Sequence, residues 1–324
     1  MIGDTVAWLR ELVAFASVSS RSNLAIAEFI AERFRDVGAR VELMPDATGK
    51  KANVFASLGP DVDGGIVLSG HMDVVPALEA GWESDPFRLT ECEGTLVGRG
   101  STDMKGFLAL AVNALARLDV DSLRQPLALL LTYDEEVGTL GAKRFVDTWP
   151  ASQPLPRRTI IGEPTSLKVV RLHKGHLSYR VRFRGRAAHS GFPELGVNAL
   201  EPLARAVLGL RSLARELRAE RPANSESFPS VPYAPLNVAT VHGGIAVNVV
   251  PEQAELTFGL RHLPGMEPAE LERRIREALE KELGRTPFEL RLECESPPMM
   301  APEGGDFHHA LERVTGCAAG EGAS

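Results

Sequence analysis

Cysteine is scarce in this chain. Cys92, Cys294 and Cys317 are scattered over 324 residues. An odd, dispersed set builds neither a disulfide framework nor zinc-finger spacing, so a reducing cytoplasm is the expected compartment. Positive charge is also short: 36 Lys and Arg face 43 Asp and Glu, a net charge of -7. Such a chain has no electrostatic footprint for nucleic acid or an anionic membrane, and neither is expected as a partner. No apolar run approaches the ~20 residues of a membrane span. The opening MIGDTVAWLRELVAF carries Asp4 and Glu11 in an amphipathic pattern, unlike a secretory leader. Other enzyme signatures are missing as well. There is no Gly-x-Ser-x-Gly elbow and no P-loop, and Gly98-Arg99-Gly100 meets Asp103 where a dinucleotide fingerprint needs glycine.

What is present reads as an ordinary globular chain, 44% hydrophobic and 24% charged, long enough for one large or two smaller domains. Residues 4–18 and 23–37 follow amphipathic helical spacing, with Asp4 and Ser22 or Asn23 as N-caps. Short apolar runs at 66–69, 127–132 and 159–161 read as strands, with a helix over 104–118 between the first two. Apolar strands separated by helices predict an α/β sheet with helices on both faces. The pattern changes near residue 170. A strand over 177–185, a helix over 197–219, strands over 236–241, 246–250 and 254–261, and a helix over 268–283 follow a ferredoxin-like order. This stretch reads as an inserted second domain, with a return to the first after about Arg285. The segment 222–235, rich in Pro and Ser, reads as an exposed loop.

The chemistry is carried by position. Three apolar strands end in potential metal ligands, His71, Glu136 and Glu163, and Asp103 opens a helix. Open α/β sheets bind ligands beyond the carboxyl ends of their strands, so these donors are expected to share one crevice. Imidazole with carboxylates suits zinc, cobalt or manganese. In His71-Met72-Asp73 the aspartate suits an orienter of the ligand imidazole; a hydrogen-bonded loop histidine is the alternative. Adjacent Glu135 and Glu136 would repel each other at the end of a buried strand. A cation would relieve one and leave the other as a general base; a solvated acidic turn is the alternative.

Four segments, Ser69–Pro76, Gly98–Gly106, Thr132–Gly138 and Gly162–Thr165, occur in order along the chain. Together they resemble the acetylornithine deacetylase / succinyl-diaminopimelate desuccinylase branch of the aminoacylase-type di-zinc metallopeptidases. The runs 172–176 and 188–200 lie nearer the deacetylase side. The resemblance implies a zinc-peptidase-like α/β domain (1–170 and 286–324) with an inserted ferredoxin-like lid and dimerisation domain (171–285). It implies that His71 and Glu163 hold one Zn2+, that Glu136 holds a second, and that Asp103 bridges them, with Co2+ as a possible substitute. Asp73 would orient His71. Glu135 would take a proton from water and pass it to the leaving amine. A cis peptide would link Asp103 to Met104. His189 would donate to the reacting carbonyl oxygen, often across a dimer interface, and Asn248 and Arg261 would bind substrate. The implied activity is hydrolysis of an N-acyl amino acid such as N-acetylornithine, by a cytoplasmic homodimer.

One departure bears on this expectation. Relatives continue with a Gly-rich segment ending in a histidine that ligates the Glu136 zinc, whereas this sequence runs through His308-His309 into a small, polar tail. The last ligand is not visible, and the second metal site is expected to be the weaker. A carboxypeptidase or dipeptidase on the same scaffold is the sister reading. A binding and dimerisation protein with impaired catalysis is a reading of a different class.

Overall fold

The computed structural model describes residues 2–78, 81–150, 152–153, 155–301 and 305–317. The chain divides into two compact units, Met1–Ser166 and Leu167–Ser324.

The first unit runs α1 (Ile2–Ala14), α2 (Leu24–Asp36), β1 (Arg40–Pro45), β2 (Ala52–Leu58) and β3 (Ile66–His71). It continues with β4 (Thr90–Cys92), β5 (Thr95–Val97), α3 (Lys105–Leu115), β6 (Leu127–Thr132), α4 (Leu140–Thr148) and β7 (Arg158–Ile161). Five strands form one mixed sheet in the order β1-β2-β6-β3-β7, with β6, β3 and β7 parallel. Every residue of β2 is buried, because both faces of the sheet are covered. Leu12, Ile30, Phe34 and Leu108, from α1, α2 and α3, pack with Val54 and Leu129 in one core. Phe145 of α4 packs with Phe55 and Val67 in another, where Phe55, Phe145 and Trp149 make ring contacts of 4.6–5.9 Å. The two expected N-terminal helices are present. Asn23 does not cap α2 through its side chain; it exchanges hydrogen bonds with Ala52 (2.9 Å each way), tying α2 to the start of β2.

The second unit contains β8 (Leu172–His173), β9 (His176–Arg184), α5 (Leu200–Ala219), β10 (Leu236–Gly243) and β11 (Gln253–Leu260). Then come α6 (Pro268–Leu283), β12 (Glu289–Ser296), β13 (Met299–Met300) and α7 (Asp306–Thr315). β9 and β11 bury alternate residues, the period-two pattern of a sheet with one covered face. Leu203, Leu210, Leu213, Ile275 and Leu279 of the two long helices cover that face. The sheet order is β10-β11-β9-β12, all antiparallel, and the chain order is strand-helix-strand-strand-helix-strand.

Three sequence readings need correction. Residues 289–296, expected back in the first domain, form β12 against β9, where Leu290 opposite Val181 extends the apolar face. Residues 246–250 form no strand. Bounded by Gly243-Gly244 and Pro251, they bridge instead to the 188–190 segment through His189 and Val249. The 222–235 loop is only partly exposed. Phe228 and Ala234 are core residues, and the buried Lys174 donates to the carbonyls of Val231 (2.6 Å) and Tyr233 (3.0 Å).

Candidate metal centre

Parallel pairing puts the carboxyl ends of β3, β6 and β7 along one edge of the sheet. His71 is the last residue of β3, Glu135 and Glu136 lie just beyond β6, and Glu163 lies just beyond β7. Asp103 precedes α3 and joins Met104 through the expected cis peptide. His71 Nε2 lies 3.0 Å from Asp103 Oδ1 and 3.9 Å from Glu163 Oε1. One ligand atom from each of the three falls within 4.8 Å of the others, the one such group among the described residues.

The ring orientation suits ligation. His71 Nδ1 lies 2.9 Å from the main-chain carbonyl of Asp73. A neutral ring donating there keeps the Nε2 lone pair toward the two carboxylates. The sequence assigned this orienting task to the Asp73 carboxylate. That carboxylate lies 3.7 Å from Nδ1 and is engaged elsewhere. It accepts the N–H groups of Glu135 (3.0 Å) and Glu136 (3.3 Å) and the hydroxyl of Ser19 (2.7 Å). Asp73 therefore orients the imidazole through its backbone and the acidic pair through its side chain.

The electrostatics match a site short of positive charge. Burial opposes protonation of His71, but the Asp103 hydrogen bond and the charges of Asp73, Glu135 and Glu163 outweigh it and push the pKa up to about 9. Burial raises Glu163 to about 7; the His71 charge opposes this, and Asp103, Glu135 and Glu136 add to it. Glu136 is also raised, by burial first and then by Asp103, so it lies in the field of the cluster although outside the three-ligand group. The Asp103 carboxyl is held below its usual range by its bond to His71. An imidazole nitrogen facing carboxylates that resist ionising together is a donor set that a divalent cation fits.

Several supporting residues escaped the sequence reading. Lys51 pairs with Asp134 at 2.5 Å and donates to the Ser19 carbonyl at 2.6 Å, which fastens the turn after β6. Lys105, fully buried, donates to the Phe15 carbonyl (2.7 Å); burial drives its pKa down to about 7 against the pull of Asp73. Lys105 stands in the 98–106 motif and was open to notice. Ser19 and Lys51 have no local pattern that marks them.

The remaining candidates lie in the second unit. His189 and Asn248 are exposed and sit on adjoining segments, where the Ser190 N–H donates to the Asn248 carbonyl (2.9 Å). The Gly191 N–H donates to His189 Nδ1 at 3.0 Å, which leaves the proton of a neutral ring on Nε2. Arg261, also exposed, follows β11, and its charge is felt at the half-buried His176. His308 and His309 both face Glu312 of their own helix, at 3.8 and 3.1 Å.

Comparison with known proteins agrees with this architecture. Human carnosine dipeptidase 1 superposes with a TM-score of 0.73 at 18% identity, over 99% of this chain and 85% of that one. An M20-family metallo-carboxypeptidase from Sulfolobus solfataricus gives 0.77 at 17%, over 99% and 85%. A dipeptidase from Saccharomyces cerevisiae gives 0.72 at 17%, over 99% and 84%. At these identities the likeness is one of fold. The model of peptidase family M20/M25/M40 matches residues 67–323, which take in the three candidate ligand positions and the acidic pair. The chain belongs to peptidase family M20/M25/M40, a family of metal-dependent hydrolases.

Proposed function

We propose that this chain hydrolyses the amide bond of small N-acyl amino acids, N-acetylornithine first among them, using two zinc ions held by His71, Asp103, Glu136 and Glu163. The observation that carries this reading is the His71 imidazole set between Asp103 and Glu163 at the strand ends, with Glu135 and Glu136 at the next strand end. Bound zinc, or cobalt in its place, would supply Lewis acidity and an acidified water. The chain's own residues do the rest. Asp73 pins the main chain of both glutamates, so that one carboxylate is given to ligation and the other kept for protons. Glu135, whose charge is felt at His71, Glu136 and Glu163, takes a proton from the attacking water and returns it to the leaving amine. His189 and Asn248 offer donors to the acyl oxygen, and Arg261 offers a bidentate clamp for an α-carboxylate.

A second reading, a dipeptidase or metallo-carboxypeptidase, is favoured by the names of the structural neighbours. Both readings place the protein in the cytoplasm as a homodimer. Support for the dimer comes from β10, which has a sheet partner on one side only among the described residues, and from Ile245 and Val247 beyond it, both exposed.

The test is a hydrolysis panel of N-acetyl and N-succinyl amino acids, dipeptides and C-terminally blocked peptides. The protein is stripped with chelator and reloaded with zinc or cobalt. Metal-dependent release of amine from N-acetylornithine above the other substrates is the expected result. Cleavage of dipeptides alone transfers the assignment to the second reading. Metal uptake without cleavage of any member leaves a binding protein.

A further inference from the structure

We infer that Phe107 is a positioning residue for the Glu163 carboxylate, seated on Gly162 so that the pair fixes the spacing between Asp103 and Glu163. The inference rests on the metal-site reading above and adds to it a residue with no polar atom.

Gly162 stands immediately before Glu163, and its N–H donates to the Ser69 carbonyl at 3.1 Å, continuing the β3–β7 pairing. Its φ lies outside the left-handed region, so the backbone itself accepts any residue there. The obstacle to a side chain is the ring of Phe107. A Cβ at position 162 would fall among Cγ, Cδ1 and Cδ2 of that ring, closer than carbon atoms tolerate. Phe107 lies in the first turn of α3, two residues after its start and four after Asp103. The turn that follows one candidate ligand therefore presses on the residue before another.

The same arrangement occurs at the neighbouring strand end. Gly70 stands immediately before His71, and a Cβ there would lie 2.8 Å from Met104 Cε and 2.9 Å from Leu108 Cδ2. The His71 N–H faces Met104 Sδ at 3.2 Å. Three side chains from the start of α3 thus rest on two bare stretches of backbone, one behind each strand-end ligand. Close-packed contacts transmit displacements of a few tenths of an ångström. A methyl group at 162, or a hole at 107, shifts Glu163 relative to Asp103.

The experiment is a double-mutant cycle in the full-length chain, using Gly162→Ala, Phe107→Ala and the pair. Each metal-free protein is titrated with Co2+ and with Zn2+. The readouts are the dissociation constant and the visible absorption of the cobalt form, which reports ligand geometry. Each single variant should weaken binding about 10- to 100-fold, as loss of an orienting partner does. In the double variant the new methyl enters the space left by the ring, so binding should return to within a few-fold of wild type. Such non-additivity is the signature of direct contact. Phe107→Leu, which leaves a smaller hole than alanine and loses the flat ring, should show the cobalt spectral change if Phe107→Ala fails to fold. Losses that multiply in the double variant, or single variants with unchanged affinity and spectrum, overturn the inference. A wild-type chain that takes up neither metal overturns the site reading itself and this inference with it, a result distinct from uptake with additive losses.

Discussion

Two histidines in this chain are almost equally buried and chemically opposite. His71 is 2% exposed and His262 is 0% exposed, and each lies at or just beyond the end of a strand. His71 is surrounded by Asp73, Asp103, Glu135 and Glu163, and its pKa is pushed up to about 9. His262 has no hydrogen-bond partner on either ring nitrogen among the described residues, and burial alone drives its pKa down. Its ring lies over the bare backbone of Gly175 inside the second unit, where a Cβ would be 2.6 Å from Nε2. The difference teaches that burial does not make a ligand. Parallel strand ends bring carboxylates from distant parts of the sequence to one ring, whereas the one-faced antiparallel sheet surrounds the other ring with core.

The comparison is tested most strongly at the carboxylates around His71. Glu135→Gln keeps the shape of the site and removes the carboxylate proposed above to carry the proton. Turnover should fall by about 10²- to 10⁴-fold, the usual weight of a general acid–base group. Metal content by mass spectrometry should stay at the wild-type value. Activity near wild type would remove Glu135 from the mechanism.

A smaller effect is expected at Asp73, which is fully buried and accepts three donors. Asp73→Asn turns one acceptor into a donor facing another donor, which should cost about 1–3 kcal/mol of unfolding free energy in chelator. It also removes one of the charges that raise His71. In the metal-free protein the His71 titration, followed by NMR, should move down from about 9, toward the behaviour of His262. An unmoved titration would mean that the carboxylates do not set the contrast between the two rings.

Much of this was legible in the sequence, for identifiable reasons. Strand ends are marked where apolar runs stop, so His71, Glu136 and Glu163 could be placed at one edge before any coordinates. The long helix over 268–283 and the alternation of β9 were equally plain. Other features needed the third dimension. The Asp73 carboxylate turned out to serve backbone groups 62 and 63 residues away, and Ser19 reaches it from 54 residues away. Such contacts leave no local periodicity. β12 was misplaced because ELRLECES, although it alternates polar and apolar residues, carries no mark of its partner strand, and only its register against β9 shows which sheet it joins. Phe107 reads as one more apolar residue of an amphipathic helix until Gly162 is found beneath its ring.

The smallest effect concerns His262, and it tests the other side of the contrast. A buried imidazole whose folded pKa lies below its unfolded value of about 6.5 binds fewer protons folded than unfolded. Its contribution to stability is present in full above about pH 6.5 and is lost as pH falls toward the folded pKa. His176, also lowered by burial, acts in the same direction. One such group contributes a slope of at most about 1.4 kcal/mol per pH unit. His262→Phe keeps a flat ring over Gly175 and removes two unpartnered nitrogens. It should leave metal uptake unchanged, preserve stability at pH 7.5 and remove the His262 share of the slope between pH 6.5 and 5, while His176 and the oppositely acting His71 and Glu163 contribute alike to both proteins. Urea unfolding across that range measures the slope. An undiminished slope in the variant would show that His262 is already satisfied in solution, and the two histidines would then differ less than their surroundings imply.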